Sequence, residues 1–456
     1  MAELDLLLAG GTVVTPTGRR RLNIGVRHGR IVQLDTSTPH AERVVDASGL
    51  LVLPGGVDTH VHLMDPGAPE REDFPSGTRA AAASGVTSIV EHTHGAPVRT
   101  VDDLHRKIDH LDGRSHVDYG LAAHAWPGRA DAVRDLWRAG ITFFKVFTCT
   151  THGVPGHTAA ALKTHLAATA LEGAVSLLHC EDESLTEDAE TVLQAEGRDD
   201  AGILIDWRSR DAELVAVAVA ALLVRRTGAR ATIAHVSNQE VAQYVASERD
   251  RGARLAAEAC PQYFLLREDE VLEQGTLRKF TPPARSRTST DETEMWQLLR
   301  TGVLTHMSSD HAPSTLEQKA DGGIWNAHFG LPGLDSTMAI LIDAAARGDL
   351  SFEDIARVYA EAPAQQYGLW PAKGRIGVGA DADLVLVDPA ARRTLRNEDV
   401  HSKAGWTPFD GREVQGTVLQ TYLRGTLIAE KADPTSPRTG RFIYGAGAID
   451  RRRSQP

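Results

Sequence analysis

The chain has 456 residues, 49 Lys+Arg against 61 Asp+Glu for a formal net charge of −12, and 42% hydrophobic residues. That length fits two or three domains, or one large α/β barrel with an attached module. The composition excludes wholesale disorder, a collagen-like chain and a small disulfide scaffold. The acidic balance argues against nucleic acid or an anionic membrane as the main partner.

In chain order, the segment Met1–Leu8 has no basic stretch ahead of its short apolar run, so no signal peptide is expected. Asp5–Leu8 and Thr12–Val14 read as strands around Ala9-Gly10-Gly11, and Arg30–Gln33 follows the His28-Gly29 turn. From Leu51 onward, short apolar strands alternate with helical patterns, the signature of βαβ units. Eight strands are predicted: Leu51–Val57, Thr87–His92, Val117–Ala123, Ile141–Phe147, Val175–His179, Ala231–His235, Arg254–Ala259 and Leu304–Asp310. The clearest helix is Asp211–Arg226, which ends in two arginines before Gly228. Eight parallel strands over this length predict a (β/α)₈ TIM barrel. Ala382–Asp388, Gly416–Leu423 and Thr426–Ala429 return to β patterning, so strands from both chain ends are expected to form one small β-sandwich. The expected division is 1–55 and 372–447 for the sandwich, 56–371 for the barrel, and 448–456 for a tail that frays at Arg451–Pro456.

No stretch reaches the roughly 18 uninterrupted apolar residues that suggest a membrane span. Cys149, Cys180 and Cys260 are too few and too scattered for a disulfide framework, which points to a reducing, cytoplasmic setting. The unusual count is 19 histidines, and their placement carries the chemistry. In a TIM barrel the reactive residues sit at the C-terminal ends of the strands. The first predicted strand runs into Asp58-Thr59-His60-Val61-His62, where His60 and His62, two apart in extended chain, point the same way. The fifth ends at His179, the sixth at His235 and the eighth at Asp310. Lys145 sits in Phe143-Phe144-Lys145-Val146-Phe147, where an unpaired ammonium is costly and needs a partner or a modification. One histidine at a strand end is more often structural than a ligand. Four histidines, a lysine and an aspartate on one rim point to a metal centre.

These residues stand in motifs that resemble the amidohydrolase superfamily, within it the cyclic amidohydrolases: dihydroorotase, allantoinase, hydantoinase and dihydropyrimidinase. The motifs are Pro54-Gly55-Gly56-Val57-Asp58-Thr59-His60-Val61-His62, Phe144-Lys145-Val146-Phe147, Leu178-His179-Cys180-Glu181, Ala234-His235-Val236-Ser237 and Ser308-Ser309-Asp310-His311-Ala312-Pro313. Thr281-Pro282-Pro283-Ala284-Arg285, Gly330-Leu331-Pro332-Gly333-Leu334-Asp335, Gly379-Ala380-Asp381-Ala382-Asp383-Leu384 and Ser402-Lys403-Ala404-Gly405-Trp406-Thr407-Pro408-Phe409 extend the likeness over almost the whole chain.

The resemblance implies two divalent metal ions, usually zinc. His60, His62 and Asp310 would hold one, and His179 and His235 the other. Lys145, carboxylated by CO₂, would bridge them, which would also answer the puzzle of an ammonium in an apolar strand. The implied reaction opens a cyclic amide or ureide ring. A hydroxide shared by the metals attacks the carbonyl, and Asp310 takes its proton and passes it to the leaving nitrogen. Relatives of this kind form homodimers or homotetramers, so a homo-oligomer is implied as well.

The substrate is less legible. Dihydroorotases place an arginine two residues after the second metal histidine, where this chain has Met64, so a carboxylate-bearing ring is disfavoured. Allantoinases carry Glu-Pro-Gly and a Trp-Glu-Gly-Phe-like stretch nearby; this chain has Asp65-Pro66-Gly67 and Glu72-Asp73-Phe74. Hydantoinases put a tyrosine where Thr150 stands. The departures gather at Met64, His94, Thr150, His152, Thr281, Trp325, Asn326 and His328, which are taken as candidate substrate residues of a pocket retuned for a less charged ring. Other readings stay open: a dihydroorotase-like enzyme, a hydrolase of a non-standard imide or linear amide, and a non-catalytic scaffold relative. A one-metal zinc deaminase on the same barrel fits less well, because such enzymes commonly lack the strand lysine.

Overall fold

Seven short strands open the chain in the computed structural model, which describes residues 4–431, 433–435 and 438–448. They are β1 (Leu4–Ala9), β2 (Thr12–Thr15), β3 (Gly18–Arg21), β4 (Asn23–Arg27), β5 (Arg30–Asp35), β6 (Ala41–Asp46) and β7 (Leu51–Pro54). Leu6, Leu8, Val13, Ile24, Val26 and Ile31 turn inward and build a small core of their own. The predicted tail at Arg451–Pro456 lies outside the described residues.

The barrel follows. Its strands are β8 (Gly56–Val61), β9 (Val86–Glu91), β10 (Asp118–Leu121) continuing as β11 (Ala123–His124), β12 (Phe144–Phe147), β13 (Val175–His179), β14 (Arg230–Ile233), β15 (Arg254–Ala259) and β16 (His306–Met307). Neighbours pair in parallel around the ring. The ring closes where the His62 amide donates to the His311 carbonyl at 2.8 Å. Helices cover the outside, and the longest, Arg210–Thr227, is capped by the Ser209 side chain and stopped by Gly228 at φ 71°.

At the far end of the chain, β17 (Leu384–Thr394), β18 (Glu413–Leu423), β19 (Thr426–Glu430) and β20 (Asp433–Pro434) join strands from the beginning. One sheet runs β20-β19-β18-β17-β7-β2-β3, and a second runs β5-β4-β1-β6. The fold is therefore a TIM barrel with a β-sandwich built from both chain ends.

The structure differs from the sequence reading at several places. The strand predicted at Leu51–Val57 is two strands: β7 pairs with β17 in the sandwich, and β8 pairs with β9 in the barrel. Gly55 makes the switch, since its amide donates to Asp383 O while that of Gly56 donates to Gly85 O, both at 2.9 Å. The strand predicted at Leu304–Asp310 is only two residues long, because the Ser309 amide donates to both carboxylate oxygens of buried Asp58, at 3.1 Å each, and leaves the ladder. β3, β4, β6 and β20 are additional, and the strand predicted at Val117–Ala123 is broken into β10 and β11. β3 is Gly-Arg-Arg-Arg on the rim of its sheet, with no buried residue and so no apolar alternation to betray it.

Candidate active site

The C-terminal rim of the barrel brings the six ligand candidates together, with Met64, His94, His152 and Thr281, around one cleft. Each side chain is aimed by its backbone. His60 and His62 leave β8 on the same side. Lys145 lies within β12, and His179 closes β13. His235 and Asp310 follow β14 and β16 in the left-handed region, at φ 35° and 49°. Met64 and His152 also have positive φ, 57° and 53°. Four cleft residues thus hold backbone conformations that side chains other than glycine rarely adopt, a form of local strain concentrated where geometry must be exact for function.

The imidazoles are oriented from behind. His60 Nδ1–H donates to Glu258 at 2.6 Å, leaving Nε2 to face the cleft. His62 Nδ1–H donates to the His92 carbonyl at 2.9 Å, again leaving Nε2 forward. His179 Nε2–H donates to Glu181 at 2.8 Å, so its Nδ1 faces His235 Nε2, also at 2.8 Å. Asp310 Oδ1 lies 3.1 Å from His60 Nε2 and 3.6 Å from His62 Nε2. Lys145 Nζ donates to His60 Nε2 at 3.1 Å. Burial first, then the Lys145 charge, holds His60 well below an ordinary histidine pKa; burial and neighbouring His179 do the same for His235. Both rings are neutral, with a lone pair available.

This donor set fits divalent metal. Neutral imidazole nitrogens converge on one another and on a carboxylate, each fixed through its other nitrogen or its strand, which is how metal-binding histidines are held. Lys145 is almost fully buried, and burial pushes its amine down to about 8 despite the opposing pull of Asp310 and Glu258. An amine so shifted is partly neutral near physiological pH, the form that reacts with CO₂.

Four substrate candidates lie apart from the cleft lining. The Thr150 amide donates to Glu183, and its hydroxyl accepts from the Gly156 amide. Trp325 donates from Nε1 to Arg198 O at 2.8 Å and packs on Trp207. Exposed Asn326 caps its own turn through Gly322 O, and His328 is exposed. Thr281 lines the cleft and donates to Glu181 at 2.7 Å, and His94 stacks on His152 with ring centres 4.6 Å apart.

Sequence reasoning missed several neighbours. Glu258 lies in apolar Leu255-Ala256-Ala257-Glu258-Ala259, the same anomaly that flagged Lys145. His92 is buried with neither ring nitrogen hydrogen-bonded, and its ligand atom lies within 4.8 Å of those of His60 and His62. Cys149, His179 and Glu181 form a second such group. Phe147, Phe280, Phe329 and Arg71 complete the cleft walls.

The profile of the Amidohydrolase family matches residues 51–428. The chain is 34% identical over 454 residues to an allantoinase of Rubrobacter xylanophilus, covering 97% of this chain and 98% of that one. It is 32% identical to an allantoinase of Escherichia coli K12, covering 97% and 99%. Among solved structures, the L-hydantoinase (dihydropyrimidinase) of Arthrobacter aurescens matches with TM-score 0.93 at 28% identity, over 97% of this chain and all of that one. A D-hydantoinase matches with TM-score 0.89 at 29% identity, over 96% and 98%.

Proposed function

The chain belongs to the amidohydrolase family, and from that premise we infer that it is a metal-dependent hydrolase that opens a cyclic amide or ureide ring. The observation that carries this reading is the convergence of His60 Nε2, His62 Nε2, His179 Nδ1, His235 Nε2, Asp310 Oδ1 and the Lys145 side chain, with three of the four imidazoles locked from behind. We assign these six as the residues that would hold two divalent ions, zinc by donor chemistry, with Lys145 as a carboxylated ligand. Bound there, the ions supply the Lewis acidity that brings water close to neutral pKa and polarises a carbonyl.

The chain's own residues do the rest. Asp310 accepts a proton from the attacking water and returns it to the ring nitrogen. A C–O bond forms at the carbonyl carbon, the ring C–N bond breaks, and the product is a linear N-carbamoyl or amide acid. Glu258 and Glu181 keep the forward nitrogens of His60 and His179 unprotonated by holding the proton on the other side of each ring. Met64, Phe147, Phe280 and Phe329 offer apolar surface to the ring, and His94, His152 and Thr281 offer polar contacts.

A mass-spectrometric screen of the zinc-loaded protein tests the reading, with allantoin, dihydroorotate, dihydrouracil, substituted hydantoins, succinimide and phthalimide as the panel and Asp310→Ala as the blank. Turnover of one ring, lost in the blank and on chelation, is the expected result. Silence across the panel with two metals bound would reduce the reading to a metal-dependent hydrolase of other substrates. Lys145→Ala should lose metal and about 10²-fold or more in activity, with partial rescue by a short carboxylic acid. Full activity of that variant would remove Lys145 from the metal site. The assembly we expect is a homodimer or homotetramer, checked by light scattering. The compartment we expect is the cytoplasm, in keeping with three buried free thiols.

A further inference from the structure

One wall of the cleft carries a cation that the hydrolytic chemistry above leaves unused. Arg71, on the loop between β8 and the helix Phe74–Ser84, lines the same cleft as the six ligand candidates. Its Nε–H is committed to the loop that carries Asp310, donating to Pro313 O at 3.2 Å and Ser314 Oγ at 3.0 Å. No other described residue accepts a hydrogen bond from its guanidinium. The loop itself is pinned, because adjacent Glu72 is fully buried and accepts hydrogen bonds from Ser402, Ser76 and the Lys403 amide. Arg71 is therefore a planar fork clamped at Nε, with its outer N–H groups to spare.

The charges around it do not answer it. Lys319, His152 and His328 all lie within its field. Buried Lys319 donates to the carbonyls of Lys279, His328 and Gly330, and Lys279 to those of Ile324 and Trp325, with no carboxylate among these partners. Among the described residues, the acid that acts on Arg71 is exposed Glu70, and burial lowers the guanidinium only to about 10, so it stays charged. A largely desolvated cation of this kind is completed by an anion from outside.

We propose that Arg71 is a specificity residue that binds a carboxylate carried on the substrate ring, so that the substrate is an anionic cyclic amide. This rests on the cyclic-amide reading of the site. The guanidinium fork matches a carboxylate in two-point geometry. Phe147, Phe280 and Phe329 cover the ring while Arg71 takes its substituent. The expectation of a less charged pocket rested on Met64 standing where an arginine would; Arg71 supplies that charge from the far end of the same loop. The signal was in the sequence, where Arg71-Glu72-Asp73-Phe74 occupies the place of a Trp-Glu-Gly-Phe-like stretch.

The test uses hydantoin-5-acetic acid and its neutral amide. Both are titrated calorimetrically into metal-loaded Asp310→Asn protein with Arg71, Arg71→Gln or Arg71→Lys, and both are offered for turnover to the enzyme with Asp310 intact. The acid should bind at least about tenfold more tightly than the amide, the strength of a charge-assisted pair. Arg71→Gln should bring that ratio close to one, Arg71→Lys should keep part of it, and in turnover the preference should sit in KM. A ratio near one with Arg71 present, equal weakening of both ligands in Arg71→Gln, or binding of neither would overturn the proposal. If the acid binds through Arg71 but neither ring is opened, the cyclic-amide reading fails and the anion site stands. If both rings are opened without preference, the reverse holds.

Discussion

Glu181 keeps its charge where burial opposes it. Burial alone would raise its carboxyl, but the Arg208 guanidinium and hydrogen bonds from His179 and Thr281 hold it at about 2, against an ordinary 4.5. A folded value below the unfolded one stabilises the fold at pH above the unfolded value, and that stabilisation is lost as pH falls from about 4.5 towards 2. Glu181→Gln should therefore destabilise the metal-free protein by about 3 kcal/mol at pH 7. Urea unfolding at several pH values checks this: the gap from the parent should narrow as pH approaches 3, and a gap independent of pH would mean that packing, not charge, is what Glu181 contributes. In the metal-loaded protein the same change frees the His179 ring, and metal affinity should fall about 10–100-fold.

The turn between β7 and β8 joins two architectures in one residue. A Cβ on Gly55 would run into Thr87 Oγ1 and would meet Thr87 Cβ at 2.8 Å. Gly55→Ala should cost about 1–3 kcal/mol through overpacking, and Thr87→Ala should recover part of it; calorimetry on the two single variants and the double reads the coupling. This turn also shows how far the sequence was legible. The apolar run Leu51–Val57 marks a strand truthfully but cannot reveal that hydrogen-bond partners change at Gly55, because that is decided by β17, far along the chain. The cluster of ligand candidates was legible, since a lysine or paired histidines among apolar strand residues break the local pattern. The cleft walls were legible only in part: Met64, His94, His152 and Thr281 line the cleft, and Thr150, Trp325, Asn326 and His328 do not. Trp325 and Asn326 look like pocket residues by type, yet Trp325 packs on Trp207, and Phe329, four residues on, reaches the cleft. Helical phase over a short irregular loop carries no signal of its own.

At the scale of the molecule, Lys373 ties the barrel to the sandwich. Its buried ammonium lies 2.5 Å from Asp118 at the start of β10, 2.8 Å from Asp383 and 3.0 Å from Asp381, and Arg424 also pairs with Asp118. Burial would drive the ammonium to lose its proton, but the three carboxylates hold its pKa above the usual range. Lys373→Met would leave those acids short of a cation and should cost about 3–5 kcal/mol at pH 7. The deficit should shrink below about pH 5, because unpaired buried carboxyls then take up protons; thermal unfolding across that range measures it. The strands joined by this cluster have a further consequence for synthesis. Leu53 pairs with Val385, across roughly 330 residues. At about 5–20 residues per second on the ribosome, those residues take roughly 15–70 s to make. Throughout that interval β7 presents an open, apolar edge, and the barrel between β7 and β17 is completed before its flanking sheet can close. The nascent chain is thus most exposed to mispairing at its oldest end, and the last strands to emerge are the ones that bring the wait to an end.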